Sequence, residues 1–265
     1  MIGRLRIAVG LAAVAAATLP LALTQVVALR TGLIGEAAAP RLWHRLIVRV
    51  LGIRITVAGR LAEGRPLLIA ANHVSWTDIM VLGAIADVHF IARADMARWP
   101  VLGRLATLQR TVFVDRERRR SAGAQAREIA ERLAGGDPMV LFAEGSTGDG
   151  NRLLPFKSTL FGAAQMALRA LPEHSVLVQP VALAYTRRHG LPMDRRQRGR
   201  VAWIGDATLW PHLKELLRVG ALDVEVHFGE PLPFAEDASR KEVARLAEAR
   251  VRAMMAAALR RPREP

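Results

Sequence analysis

Apolar positions along this 265-residue chain follow three patterns, and each predicts a different kind of element. From Ile7 to Leu29 no ionisable residue interrupts the run, with Arg4 and Arg6 before it and Arg30 after, so it is long enough to cross a bilayer as a helix. A cleaved signal peptide is the competing reading, because Ala37-Ala38-Ala39 looks like a small-residue cleavage site. The length of the apolar core, and Arg30 interrupting the approach to that site, favour a retained helix. Arginines at both ends leave its orientation open, and a helix that dips into one leaflet and returns fits the same run. Leu42 to Leu51 shows the second pattern: arginines at four-residue spacing beside an apolar face that carries Trp43. That suits a helix lying in the membrane interface, or equally an amphipathic helix packed on the protein.

The third pattern begins at Arg54, where short β-rich runs alternate with helical ones. Candidate strands are Ile53 to Ala58, Leu67 to Ala71, His89 to Ala92, Thr111 to Val114, Met139 to Phe142, Val176 to Ala184, Val201 to Ile204 and Val224 to Phe228. Candidate helices are Ile79 to Ala86, Arg119 to Ala134, Thr159 to Ala170, Leu209 to Val219 and Ser239 to Leu259. The alternation predicts an α/β fold with a mixed central sheet flanked by helices. Residues 1–58 are expected to anchor the chain to a membrane and 59–265 to form the α/β domain. Arg187 to Arg200, rich in arginine with Gly190, Pro192 and Gly199, predicts an exposed basic loop that is either plain solvated surface or a contact for lipid headgroups.

Composition narrows the partners. The net charge is +14, carried almost wholly by arginine because only Lys157, Lys214 and Lys241 are lysines. An anionic partner follows, whether lipid headgroups, an acidic carrier protein or nucleic acid. A hydrophobic content of 51% and positive mean hydropathy turn that choice toward the membrane. Nucleic acid is the weaker partner, since the chain shows no zinc-finger spacing, RNA-binding aromatic signature or basic zipper. The absence of cysteine removes disulfides, thiolate metal sites and cysteine nucleophiles. His44, His89, His174, His189, His212 and His227 show no metal-ligand spacing.

The candidate chemistry centres on Ala70-Ala71-Asn72-His73-Val74-Ser75-Trp76-Thr77-Asp78. Here an apolar strand ends just before a histidine, and a helix that Ser75 or Thr77 can cap begins around Asp78. In open α/β sheets ligand crevices form at that strand edge. A carboxylate in the first helical turn can fix the imidazole tautomer and stabilise the imidazolium formed when a hydroxyl proton is taken. Spacing alone is weak support, since chains of this composition match it by chance roughly one time in four. Equally open on local context is a histidine capping a helix while Asp78 binds free backbone N–H groups.

Three further stretches can reach the same crevice. Thr111 to Arg116 is a strand that delivers Arg116 at its carboxyl end, where a guanidinium can hold an anion. Val140 to Gly150 runs from an apolar strand into the glycine-rich loop Glu144-Gly145-Ser146-Thr147-Gly148-Asp149-Gly150. Backbone N–H groups there can face an oxyanion or phosphate, and Glu144 can accept a substrate hydroxyl. The loop lacks the Gly-Lys-Ser/Thr of a phosphate-binding P-loop, and no Gly-x-Ser-x-Gly elbow makes Ser146 a hydrolase nucleophile. Leu154-Pro155-Phe156-Lys157-Ser158 sets a scarce lysine just before a helix.

In this order, Asn72-His73 with Asp78, Val112-Phe113-Val114-Asp115-Arg116, Phe142-Ala143-Glu144-Gly145 with Pro155-Phe156-Lys157, and Val178-Gln179-Pro180-Val181 resemble the four blocks of the glycerolipid acyltransferases. The resemblance spans Asn72 to Val181 and implies a membrane-associated O-acyltransferase at the inner membrane face, with its catalytic domain toward the cytoplasm. It would move an acyl chain from acyl carrier protein or coenzyme A to a lysolipid hydroxyl, without metal or prosthetic group. On this resemblance His73 is the base and Asp78 its partner, while Arg116, Glu144, Gly145, Ser146, Thr147 and Lys157 form the acceptor site.

Two departures from the family pattern matter. Thr147 stands where the third block usually has arginine, and Arg110 stands where the second usually begins with glycine. Loss of a guanidinium speaks against a phosphomonoester acceptor, although Arg152 lies nearby. The stretch from Glu144 to Phe161, Trp203-Ile204-Gly205-Asp206 and Phe228-Gly229-Glu230-Pro231 are similar to the lyso-ornithine-lipid branch. Lyso-ornithine lipid is therefore the expected acceptor. The competing readings are lysophosphatidic acid acylation and a non-catalytic basic protein that binds membrane or nucleic acid.

Overall fold

The uncharged N-terminal run forms α1 (Ile2–Thr31), whose segment Ile7–Thr31 is long and apolar enough to cross a membrane. The computed structural model describes residues 2–115, 119–168, 175–205, 207–235 and 237–260. Helix α2 (Ala38–Leu51) folds back along α1, and Gly10 allows a close crossing, since a Cβ there would come 2.9 Å from a Val50 methyl. Trp43 Nε1 donates to Thr18 Oγ1 at 3.0 Å, which satisfies two polar groups between otherwise apolar helices. The other face of α1 leaves Val9, Leu19, Leu23 and Val27 exposed.

The α/β domain then follows in chain order. First come β1 (Ile53–Ala58), β2 (Leu67–Ala71), α3 (Thr77–Ile85), β3 (His89–Arg93), α4 (Leu102–Leu108) and β4 (Val112–Val114). Next are α5 (Arg119–Ala134), β5 (Met139–Phe142), α6 (Gly162–Leu168), β6 (Ser175–Arg188) and β7 (Leu191–Pro192). The chain ends with α7 (Arg195–Val201), α8 (Leu209–Val219), β8 (Leu222–Phe228), β9 (Leu232–Ala235) and α9 (Arg240–Arg260).

Among the described residues the strands form one mixed sheet in the order β1-β8-β6-β2-β5-β3-β4, with β7 and β9 also on β6. Strand β2 runs parallel to both neighbours, pairing Ala71 with Phe142 on one side and with Val181 on the other. Its unbroken apolar sequence follows from that position. Leu67, Ile69 and Ala71 enter the core on one sheet face, while Leu68 and Ala70 enter the core on the other. Strand β1 pairs with β8 along its whole length, so the 1–58 segment ends inside the sheet.

The expected strand Val201 to Ile204 is instead the end of α7 followed by a turn, and the expected loop Arg187 to Arg200 is mostly regular structure. Arg187 is buried at the end of β6, and Asp194 caps α7 through a reciprocal pair of bonds with Gln197. A capping box fixes a helix start more strongly than arginine content favours a loop. Helix α2 packs on α3 through His44, and a Cβ on Gly83 would come 2.0 Å from the His44 ring. Burial lowers His44 to a pKa of about 4, so it sits there as a neutral imidazole.

Arg110, in place of the family's usual glycine, has φ of 61°, in the left-handed region that glycine occupies without a Cβ clash. Its guanidinium compensates by bridging Glu36, in the α1–α2 connection, to Asp137 after α5. The bridge ties the α1–α2 connection to the loop before β5. Two variants separate the two effects. Arg110→Ala loses the bridge and keeps the backbone penalty, so Arg110→Gly should be the more stable of the pair by about 1 kcal/mol in chemical denaturation. Equal stability would show that the left-handed conformation costs nothing at this position.

Candidate active site

Parallel pairing of β2 with β5 brings their carboxyl ends together, so the turn after Ala71 and the loop after Phe142 lie side by side. The ladder continues beyond the strands, with Ala143 N–H donating to the Ala71 carbonyl at 3.0 Å. His73 and Glu144 therefore project from neighbouring strand ends. Asn72 anchors its turn by exchanging two hydrogen bonds with the Leu183 backbone of β6.

The Asp78 side chain is fully buried, and donors converge on its carboxylate from three directions. Its Oδ2 accepts from His73 Nδ1 at 2.8 Å and from the backbone N–H groups of Val74 and Ser75 at 2.6 and 3.0 Å. Its Oδ1 accepts from the Tyr185 hydroxyl at 2.7 Å. The carboxylate thus holds the backbone of the β2–α3 turn and the imidazole at the same time. Binding of backbone N–H groups by Asp78 and orientation of the histidine, alternatives from spacing alone, coexist in one side chain, while α3 itself has no side-chain cap among the described contacts. An acceptor-only carboxylate requires the proton on Nδ1, which leaves the Nε2 lone pair for a substrate. His73 remains 17% exposed, and its ring stacks on Phe142 with centroids 3.9 Å apart.

Glu144 is 2% exposed and turned inward. One carboxylate oxygen accepts from His73 N–H at 2.7 Å, the other from Leu154 N–H at 2.8 Å. In this arrangement it braces the turn that carries His73 against the glycine-rich loop. Gly148 makes the approach possible, since a Cβ there would come 3.2 Å from Glu144 Oε2, and its N–H donates to the His73 carbonyl at 2.8 Å. Burial, opposed by those two amides and assisted by the charges of Asp78 and Asp149, pushes Glu144 up to a pKa of about 7.

The other expected acceptor residues are spread around this pair. Gly145 opens the loop, donating its N–H to the Phe142 carbonyl, and Ser146 is exposed on its outer side. The Thr147 hydroxyl donates to the Trp203 carbonyl and pins the loop to the turn after α7. Further along, Asn151 and Arg152 turn their amides onto Asp149 Oδ1, so much of the loop's N–H capacity is spent within the protein. Lys157 is exposed beyond the loop, with its own N–H on the Ala143 carbonyl. Arg116 lies outside the described residues.

Two features were missed from sequence. The first is Tyr185, the chain's one tyrosine, set in an apolar strand. A buried phenol needs a partner, which was the available signal. The second is an apolar cavity of about 340 Å³ between α1, α2, α3, α4 and α8, within the size range of small-molecule sites. Leu11, Val14, Leu21, Trp43, Ile79, Met80, Phe90, Leu105 and Leu213 are among its walls. His73 does not line it. Phe90 does, and Phe90 stacks on Phe142, which in turn stacks on His73. Trp76, two residues before Asp78, lines the cavity and donates to His212 Nδ1 of α8 at 3.0 Å, while His212 Nε2 bonds the Val201 carbonyl.

Comparison with known proteins identifies the family. A family model described as Acyltransferase matches residues 53–184. The lyso-ornithine lipid O-acyltransferase of Brucella abortus (strain 2308) is 51% identical over 98% of this chain and 97% of its own. The chain belongs to the glycerolipid acyltransferase family. It is an acyltransferase, and within the family its strongest likeness is to the lyso-ornithine branch. The 1-acyl-sn-glycerol-3-phosphate acyltransferase of Neisseria meningitidis serogroup B is 34% identical over 80% of this chain and 78% of its own. In fold, the chain resembles the 1-acyl-sn-glycerophosphate acyltransferase of Thermotoga maritima, with a TM-score of 0.63, 18% identity and coverage of 94% and 97% of the two chains.

The raised Glu144 has a stability consequence. Between its unfolded value near 4.5 and its folded value near 7, the folded state holds more protons than the unfolded one. Its contribution is therefore fully present at low pH and is lost as pH rises through 7. Wild type should gain thermal stability relative to Glu144→Gln as pH falls from 7.5 to about 5, as measured by melting of detergent-solubilised protein. A melting difference that stays constant over that range would place the titration elsewhere.

Proposed function

We propose that this acyltransferase moves an acyl chain from an acyl thioester to the hydroxyl of a lysolipid, and that the lysolipid is lyso-ornithine lipid. The observation that carries the reaction is the His73–Asp78 pair, with Nδ1 held by a buried carboxylate and Nε2 left as the free base. Nε2 takes the proton of the acceptor hydroxyl as its oxygen attacks the thioester carbonyl. When the tetrahedral intermediate collapses, the carbon–sulfur bond breaks and the leaving thiolate receives that proton from the imidazolium. The product is an ester and a free thiol. The chemistry rests on the thioester's own reactivity and draws on no metal or prosthetic group. Its donor is acyl carrier protein or coenzyme A, both anionic and suited to a chain of net charge +14.

The headgroup assignment is supported by relatives named for lyso-ornithine lipid that match 98% and 83% of the chain, and by Thr147 in the place of the family's arginine. A carboxylate and ammonium headgroup needs less concentrated positive charge than a phosphomonoester. The apolar cavity suits an acyl chain, and α1 forms part of its wall, so chains can reach it from the lipid phase. Val101, Ile204 and Trp210 are exposed beside it, and the Lys214 ammonium lies 4.9 Å from the Trp210 ring. These groups suit an anionic membrane surface, which we take to be the cytoplasmic face of the inner membrane.

Three measurements test this reading. His73→Ala in folded protein should lower turnover by roughly a hundredfold or more, and Asp78→Asn should do comparable harm by releasing the tautomer. Wild type should acylate lyso-ornithine lipid faster than lysophosphatidic acid at matched surface concentration and with one donor. Thr147→Arg should move relative kcat/KM toward the phosphate acceptor by about tenfold to a hundredfold, the worth of one charge-assisted contact. Using the ratio cancels any general damage to the loop. A wild type that prefers lysophosphatidic acid, with Thr147→Arg without effect on that ratio, would overturn the headgroup assignment and leave the acyltransferase standing.

A further inference from the structure

Asp78 accepts on Oδ1 from a residue 107 positions away. Tyr185 lies on β6 and is 1% exposed, and its hydroxyl has two neighbours: Asp78 Oδ1 at 2.7 Å and Thr77 Oγ1 at 2.6 Å. A phenol has a single proton, and the carboxylate can only accept it. The Thr77 hydroxyl must therefore donate to the tyrosine oxygen, giving a directed chain from Thr77 through Tyr185 to Asp78. Each donor in such a chain polarises the next. Burial, reinforced by the charge of Asp78, holds the phenol well above its usual range, so it stays a donor at any pH at which the enzyme works.

From this geometry we infer that Tyr185 is a positioning residue whose hydroxyl, backed by Thr77, sets how tightly the His73–Asp78 pair holds a proton. The inference rests on the reading of His73 as the base. Without the hydroxyl, Asp78 loses the only side-chain donor it has besides the imidazole among the described contacts. The carboxylate then attracts the imidazolium more strongly, or takes up a proton itself. In either case the pair binds its proton more tightly, so the sign does not depend on where the proton resides. The other ionisable groups around the pair are Glu144, at the end of β5 on His73 N–H, and Asp149 behind it in the same loop. Arg152 in that loop and Arg198 on α7 interact through their positive charges with Asp149. Glu144 itself titrates near neutrality, so a pH–rate profile alone would not identify the group responsible.

The deciding experiment follows the imidazole directly. In full-length protein labelled with 15N-histidine, the His73 signals are those that vanish in His73→Ala. Tyr185→Phe should raise their titration midpoint by about one pH unit, a tenfold gain in proton affinity, and move the acid limb of kcat/KM the same way. Thr77→Val should move the midpoint in the same direction by a smaller amount, and Thr77→Ser, which restores the hydroxyl, should return it to the wild-type position. A folded Tyr185→Phe protein with the wild-type midpoint overturns the inference and leaves Tyr185 a packing residue. If Tyr185→Phe does not fold, equal midpoints for Thr77→Val and Thr77→Ser overturn it instead. Because the midpoint is read without turnover, a fully active His73→Ala enzyme overturns the base reading separately.

Discussion

A carboxylate with no contact with water must find its whole solvation shell in the protein, and the active site is built around that requirement at Asp78. The β2–α3 turn supplies two amides and the imidazole, and β6 supplies the phenol. None of these donors is optional, because a buried charge left short of partners costs several kcal/mol. The same bonds that surround Asp78 also fix the ring that would do the chemistry. Positioning of His73 is thus a consequence of solvating its partner.

The second constraint is the joining of β2 and β5 beyond their paired residues. Glu144 repeats the logic of Asp78 with fewer donors: two amides against burial leave it near neutrality. Its carboxylate links the turn that carries His73 to the glycine-rich loop, and Thr147 links that loop to the turn after α7. The loop expected to cradle an anion thus spends much of its hydrogen-bonding capacity on holding the histidine turn in place.

What could be read from the sequence follows from the range of each interaction. Strand β2 and the pairing of His73 with Asp78 were legible because strand periodicity and contacts across a short turn act within a few residues. The ends of β1, β2 and β5 were legible for the same reason. Tyr185 was not, because its link to Asp78 depends on the register of β6 against β2, which no local pattern encodes. Glu144 was expected to face substrate because the glycines around it suggest an open loop, and its burial appears only once β5 lies beside β2. The α7 helix was legible in principle from Asp194 and Gln197, but the surrounding arginines weighed more heavily in the reading than the cap.

Arg110 shows how a departure from a family pattern can be explained by geometry rather than by chemistry. Its left-handed backbone accounts for glycine as the usual occupant, and its ion pairs with Glu36 and Asp137 account for an arginine in this chain. Asp137 also pairs with Arg132, whose guanidinium reaches the Arg110 carbonyl at 2.7 Å. The residue with the disfavoured backbone is thereby held from both its side chain and its main chain. Thr147 is the contrasting case, since its bond to the Trp203 carbonyl needs only a hydroxyl, and an arginine there would give up that link to place a charge in the loop. One departure ties the α1–α2 connection to the loop before β5, and the other ties the glycine-rich loop to the turn after α7. Both therefore fasten a connection to the rest of the fold, the first through charge and the second through a single hydroxyl.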